Sequence, residues 1–272
     1  MINYKERLAP IFFIPDLSPW PLLLRFSIAN IVTLVLFWAE GLAGIYSLSL
    51  FGLIIFSLMI LWCSDINHEL VTRGLGSKEM DNAIKTSIIW FICREVIFFF
   101  SFFFGYTSLR LCGEVSRETL WPPSNITTIA PFSVPLLNTV ILLSRGVSLT
   151  WAHHILIKGS RSEAVLAIVI TLIFSIGFIF LQLFEYNERF FSINDSFYGR
   201  MFFLATGFHG LHVLVGSVLL SIASLHLSFY NTCSSGNHVF FEIRSWYWHF
   251  VDVVWLFLFL VLYCNVMYVY II

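Results

Sequence analysis

The sequence predicts an all-α integral membrane protein with seven transmembrane helices. Three observations carry that expectation. Of the 272 residues, 58% are apolar and 11% charged, against about 25% charged in soluble domains; so few polar side chains cannot cover a water-facing surface of this size. Seven stretches are apolar over the length needed to cross a bilayer core, about 20 helical residues. Lys and Arg fall unequally between alternate connections, as orientation in a membrane requires.

The elements follow in order. Spans one and two, at 21–40 and 42–63, are joined by a very short glycine-bearing link at 41–44 and must form a tight hairpin. The most polar loop of the chain, 64–85, separates this pair from five further spans. Span three, 84–111, carries Arg94 and Glu95 near its middle, and span four, 132–157, carries Arg145 and ends at His153-His154. Span five covers 164–186. Span six, 199–225, places Gly207, Gly210, Ser217, Ser221 and Ser224 in one stripe, expected as a packing seam because small residues let backbones approach in lipid. His209 and His212 project from roughly the opposite face. Span seven, 245–272, opens with Trp246-Tyr247-Trp248, an expected interfacial belt.

Eight basic residues, Lys5, Arg7, Arg73, Lys78, Lys85, Lys158, Arg161 and Arg244, fall on one side, and four, Arg110, Arg117, Arg189 and Arg200, on the other. That bias puts the N-terminus on the positive side. The first twenty residues lack the uninterrupted apolar run of a signal peptide, so the first span is expected to act as its own insertion signal. A net charge of −1 without a basic block argues against a nucleic-acid partner. The five cysteines are scattered, with no Cys-x-x-Cys pair, and support neither a disulfide framework nor a zinc site.

Ionisable residues inside a membrane are candidates for function because lipid penalises them. Glu95 is the clearest, and two readings stand for it: a hydrogen-bonded structural carboxyl, or a proton- or lipid-related group. Arg94, adjacent but about 100° around the helix, is not its expected partner. His249 and Asp252 stand i, i+3 apart, which makes a hydrogen bond between them plausible. The histidines lack the Glu-x-x-His partners of a di-iron bundle, and no phosphate loop or nucleophile elbow is present. The chain is expected to bind no metal and to catalyse nothing alone.

The order of motifs resembles one family. Ser18-Pro19-Trp20-Pro21, Glu95-Val96-Ile97-Phe98-Phe99, Trp121-Pro122-Pro123 and Val134-Pro135-Leu136-Leu137-Asn138-Thr139 come first. Thr150-Trp151-Ala152-His153-His154, Glu185-Tyr186, Ala205-Thr206-Gly207-Phe208-His209-Gly210-Leu211-His212-Val213 and Trp246-Tyr247-Trp248-His249-Phe250-Val251-Asp252-Val253-Val254-Trp255 complete it. All resemble subunit III of the haem–copper cytochrome c oxidases. The resemblance implies a single membrane domain over 1–272, a two-helix hairpin and a five-helix bundle separated by a V-shaped, lipid-filled cleft. It further implies contact with subunit I and other complex IV subunits, protection from turnover inactivation, and support of proton uptake. Haem a and copper would belong to partner subunits and phospholipids to the cleft. The location implied is the mitochondrial inner membrane, N-terminus on the matrix side, or a bacterial plasma membrane.

Three departures matter. Where the family typically reads Trp-x-Arg-Asp-x-x-Arg-Glu, this chain has Trp62-Cys63-Ser64-Asp65-Ile66-Asn67-His68-Glu69, so both arginines are gone. His226 stands where an Arg is common, and Arg94 and Arg145 stand where Ser is usual. Arg grips phosphate bidentately and His or Ser cannot. At least one of Arg94 and Arg145 is therefore expected to meet a lipid phosphate or a neighbouring subunit's carboxylate. Candidate proton- or lipid-related residues are thus Trp62, Asp65, Glu69, Arg94, Glu95, Arg145, His212, His226, His249 and Asp252. A seven-helix transporter or receptor would instead need inverted repeats and broken helices, and a His-ligated membrane oxidoreductase would need facing ligand sets.

Overall fold

A computed structural model describes residues 17–39, 44–72, 78–112, 126, 129–193, 195–225, 227–228 and 239–265. Trp121-Pro122-Pro123, His226 and the 266–272 end of span seven lie outside them, as do the side chains of His68 and Glu69. Among the described residues all regular secondary structure is helical. The helices are α1 (Trp20–Ala39), α2 (Ile45–Thr72), α3 (Lys78–Cys112), α4 (Val134–Lys158), α5 (Arg161–Asn187), α6 (Phe197–Leu225) and α7 (Val239–Leu258), the last continuing as a π-helix over Phe259–Cys264. Among the described residues five segments are long and apolar enough to cross a membrane: Asp81–Ser108, Val134–Lys158, Arg161–Asn187, Phe197–Leu225 and Val239–Cys264. Hydrocarbon offers backbone groups no partner, and a helix satisfies its own. This is a multi-pass membrane protein.

Three boundaries differ from the sequence expectation. The loop 64–85 is largely helix, since α2 runs on to Thr72 and α3 starts at Lys78. Helix α7 begins at Val239, ahead of 245. The reason is common to all three: hydropathy marks where a helix meets lipid, not where it ends, and these helices continue past their apolar runs. The early start of α7 places Glu242 in its first turn, where the helix dipole favours an anion. Its carboxylate meets Lys85 of α3 at 2.7 Å.

The chain divides into two compact units, Met1–Ile84 and Lys85–Ile272. In the first, α1 and α2 pack as a hairpin, and the Trp20 indole N–H donates to the Asp65 carboxylate. Leu22, Phe26, Leu50, Leu53 and Ile60 stay exposed, as lipid-facing positions must be.

In the second unit α4 and α5 make the closest pair. Gly159 turns the chain between them with φ of 91°, a left-handed conformation that glycine adopts without a Cβ penalty. Its N–H caps α4 on the carbonyls of Ile155 and Leu156. The facing side chains are small: Ser148, Ala152, Ala164, Ala167, Thr171 and Ser175 are all buried. The Ser148 and Thr171 hydroxyls meet at 2.7 Å. Helix α3 packs differently, through rings. Phe98 stands edge-on to Phe208 of α6 at 5.1 Å, and Phe103 lies 6.2 Å from Phe257 of α7.

The α6 seam is not where the sequence placed it. Gly207 and Gly210 face open space, and the buried face is instead Phe202, Ala205, Thr206, His209, His212, Val213 and Gly216. The face that carries the histidines is the one turned inward, where His209 Nε2 meets the Val251 carbonyl and His212 Nε2 meets Glu95. One glycine does serve close approach. A Cβ on Gly216 would stand 2.2 Å from Cζ3 of the fully buried Trp248.

Candidate functional site

Polar side chains inside an apolar bundle must find one another, and three groups of them do. The first joins α3 to α6. His212 Nδ1 lies 2.7 Å from the Phe208 carbonyl; a carbonyl only accepts, so Nδ1 carries the proton. The other ring nitrogen, Nε2, lies 3.2 Å from Glu95 Oε2. One proton shared between Oε2 and Nε2 satisfies this contact from either side, the carboxyl or the imidazole holding it. Phe99 stands edge-on to the imidazole at 5.1 Å, and Tyr247 stacks on it at 6.4 Å. Arg94 Nη2 reaches Glu95 Oε1 at 3.3 Å. That corrects the sequence expectation that Arg94 is no partner for Glu95. A 100° offset separates the two Cα–Cβ directions, but the long flexible arginine stem bridges it.

The second group joins α4 to α7. Arg145 Nε–H donates to Asp252 Oδ1 at 3.0 Å, and Nη2 lies at ion-pair distance, 2.9 Å, from the same oxygen. The guanidinium is completely buried and lies over the rings of Trp248 at 4.8 Å and Phe178 at 5.1 Å. This corrects two sequence expectations. Asp252 pairs with Arg145 rather than with His249, whose Nδ1 stands 4.0 Å from Asp252 Oδ2, beyond hydrogen-bond range. Arg145 is consumed by an internal carboxylate, so the lipid or neighbour contact expected of the two new arginines cannot be made by this one. Beside the pair, His209 Nε2–H donates to the Val251 carbonyl at 3.2 Å, and Trp255 Nε1–H donates to Thr139 Oγ1 at 3.1 Å.

The third group lies where α5, α6 and the π-helical end of α7 meet. Glu185 Oε1 accepts from Arg189 at 3.1 Å and from the Tyr263 hydroxyl at 2.8 Å. Arg189 sits just beyond the α5 span, with its guanidinium 3.8 Å from the Phe202 ring centroid. Burial lowers its proton affinity from the ordinary arginine value, and Tyr263 and Glu185 oppose that. The Tyr186 and Thr206 hydroxyls meet nearby at 2.6 Å.

Of the candidates read from the sequence, the structure unites Glu95, His212 and Arg94 in one place and Arg145 with Asp252 in another. His249 stays half-exposed beside the second. Trp62 and Asp65 lie on α2, apart from both in sequence and in the other unit. Sequence reasoning missed Arg189 as a bundle residue by counting it as a loop charge, although its i, i+4 spacing from Glu185 was a usable signal. No group of three or more His, Cys, Asp and Glu side chains is clustered as a metal site among the described residues.

Residues 11–267 match the family model for cytochrome c oxidase subunit III. The chain is 42% identical to cytochrome c oxidase subunit 3 of Pisaster ochraceus, over 93% of this chain and 96% of that one. It is 41% identical to the subunit 3 of Paracentrotus lividus, over 93% and 96%. For Drosophila melanogaster the figures are 41%, 93% and 95%. With a match this long on a bundle of apolar helices, the chain belongs to the cytochrome c oxidase subunit III family and is a subunit of that membrane oxidase, working beside its other subunits.

Proposed function

We propose that this subunit is non-catalytic: it braces subunit I, where haem a and copper would reside with subunit II, and supports proton uptake there. The observation that carries this reading is that the ionisable groups deep in the bundle are committed to each other. Arg145 binds Asp252, Arg189 binds Glu185, and Glu95 binds His212. Such pairs hold helices together. Only the Glu95–His212 contact has the chemistry of proton exchange, a carboxyl and an imidazole at hydrogen-bond distance.

The same reading gives the protein a lipid-filled cleft in the mitochondrial inner membrane, with the N-terminus on the matrix side. Arg94 supports a lipid contact there. Its side chain is 72% exposed and Arg145 is not exposed at all, so a phosphate-binding role falls to Arg94. The test is to strip this subunit from the purified oxidase and follow turnover. The stripped enzyme should lose activity within far fewer turnovers than the intact one and take up protons more slowly. Equal turnover lifetimes and equal uptake rates would sink the proposal.

A further inference from the structure

Between α4 and α7 runs an open groove of about 610 Å³, lined along its length by apolar side chains and including Gly146, Val147, Thr150, His154, His249 and Asp252. Its floor is unusual for a lipid-facing surface. Asp252 is 8% exposed, and its Oδ1 is taken by Arg145, but among the described residues Oδ2 accepts no hydrogen bond, His249 Nδ1 being 4.0 Å away. Gly146 keeps the way to that oxygen open, since a Cβ there would stand 3.1 Å from Oδ2. Gly146 and Thr150 are one turn apart, the small-residue spacing that admits a second helix at close range.

We propose that this groove seats a transmembrane helix of a neighbouring oxidase subunit, which donates a hydrogen bond from a hydroxyl, amide or imidazole to Asp252 Oδ2. The proposal rests on the chain's place in the oxidase and names the face used. Depth decides the occupant. Asp252 lies near the middle of the Val239–Cys264 span and Gly146 near the middle of Val134–Lys158. An acyl chain at that depth has no donor and would leave a carboxylate oxygen against hydrocarbon, an arrangement that lipid penalises. A phosphate head group carries the wrong sign for Asp252. A helix with one polar side chain fills an apolar groove and supplies the donor. His154 on α4 and His249 on α7 also line the groove and offer further polar contacts.

The test is photo-crosslinking in the assembled oxidase, with Val147, 71% exposed on the groove wall, replaced by p-benzoylphenylalanine. The same replacement at Ile176, exposed on α5, is the control. The expected result is that the main adduct at Val147 gains the mass of a second oxidase polypeptide, or that this label alone blocks assembly. Adducts to phospholipid or detergent only, in a complex that still assembles, would overturn the groove assignment while leaving the chain an oxidase subunit. A chain absent from the oxidase altogether would instead overturn the reading on which the proposal rests.

Discussion

Replacing Asp252 with alanine should destabilise the helix bundle by about 3–5 kcal/mol, the cost of leaving one partner of a buried ion pair alone. Arg145 is fully buried, and Asp252 is its ion-pair partner among the described residues. Without the carboxylate the guanidinium keeps only the faces of Trp248 and Phe178, and each cation–π contact returns about 0.5–2 kcal/mol. The double substitution Arg145→Met with Asp252→Leu should recover most of the loss, because two apolar side chains of similar volume need no compensation. Denaturation of the chain in mixed micelles, followed by tryptophan fluorescence, measures both. A single variant as stable as the native chain would show that the pair does not hold α4 to α7.

Gly216→Ala should also destabilise, by about 3 kcal/mol, at the upper end of ordinary overpacking. Intrinsic helix propensity argues the other way, since alanine is favoured over glycine by about 1 kcal/mol inside a helix. The sign of the effect therefore discriminates. The added methyl would stand 2.2 and 2.3 Å from two carbons of the Trp248 ring, so the indole must shift, and the guanidinium of Arg145 lies over that ring. Adding Trp248→Leu should make room. A double-mutant cycle should then show a coupling well above the few tenths of a kcal/mol expected of independent sites. A stabilised Gly216→Ala chain would mean that α6 and α7 are not packed this closely.

How much of this was legible beforehand follows from which signals are local. The all-helical membrane class was legible because hydropathy and helix length are properties of contiguous residues, and α4, α5 and α6 lie within a few residues of their expected spans. The Arg145–Asp252 pair was not legible from spacing, because the partners stand 107 residues apart. Depth gave no clue either, since Asp252 stands near the start of the expected span 245–272, and only the earlier beginning of α7 at Val239 brings it to mid-span, level with Arg145. Proximity in sequence pointed instead to His249, which the helical turn leaves too far away. The glycine stripe of α6 misled for a related reason. Small residues permit close approach but do not cause it, and in this bundle the buried face is fixed by Trp248 against Gly216 and by the partners of His209 and His212.

The place of this chain in the respiratory enzyme is tested most directly by purification of the native protein from its own membranes in a mild detergent, with haem a, copper and this chain followed across every fraction. Co-migration of all three in fixed proportion is the expected result. A chain that purifies apart from haem a, or within a complex that contains none, would contradict it.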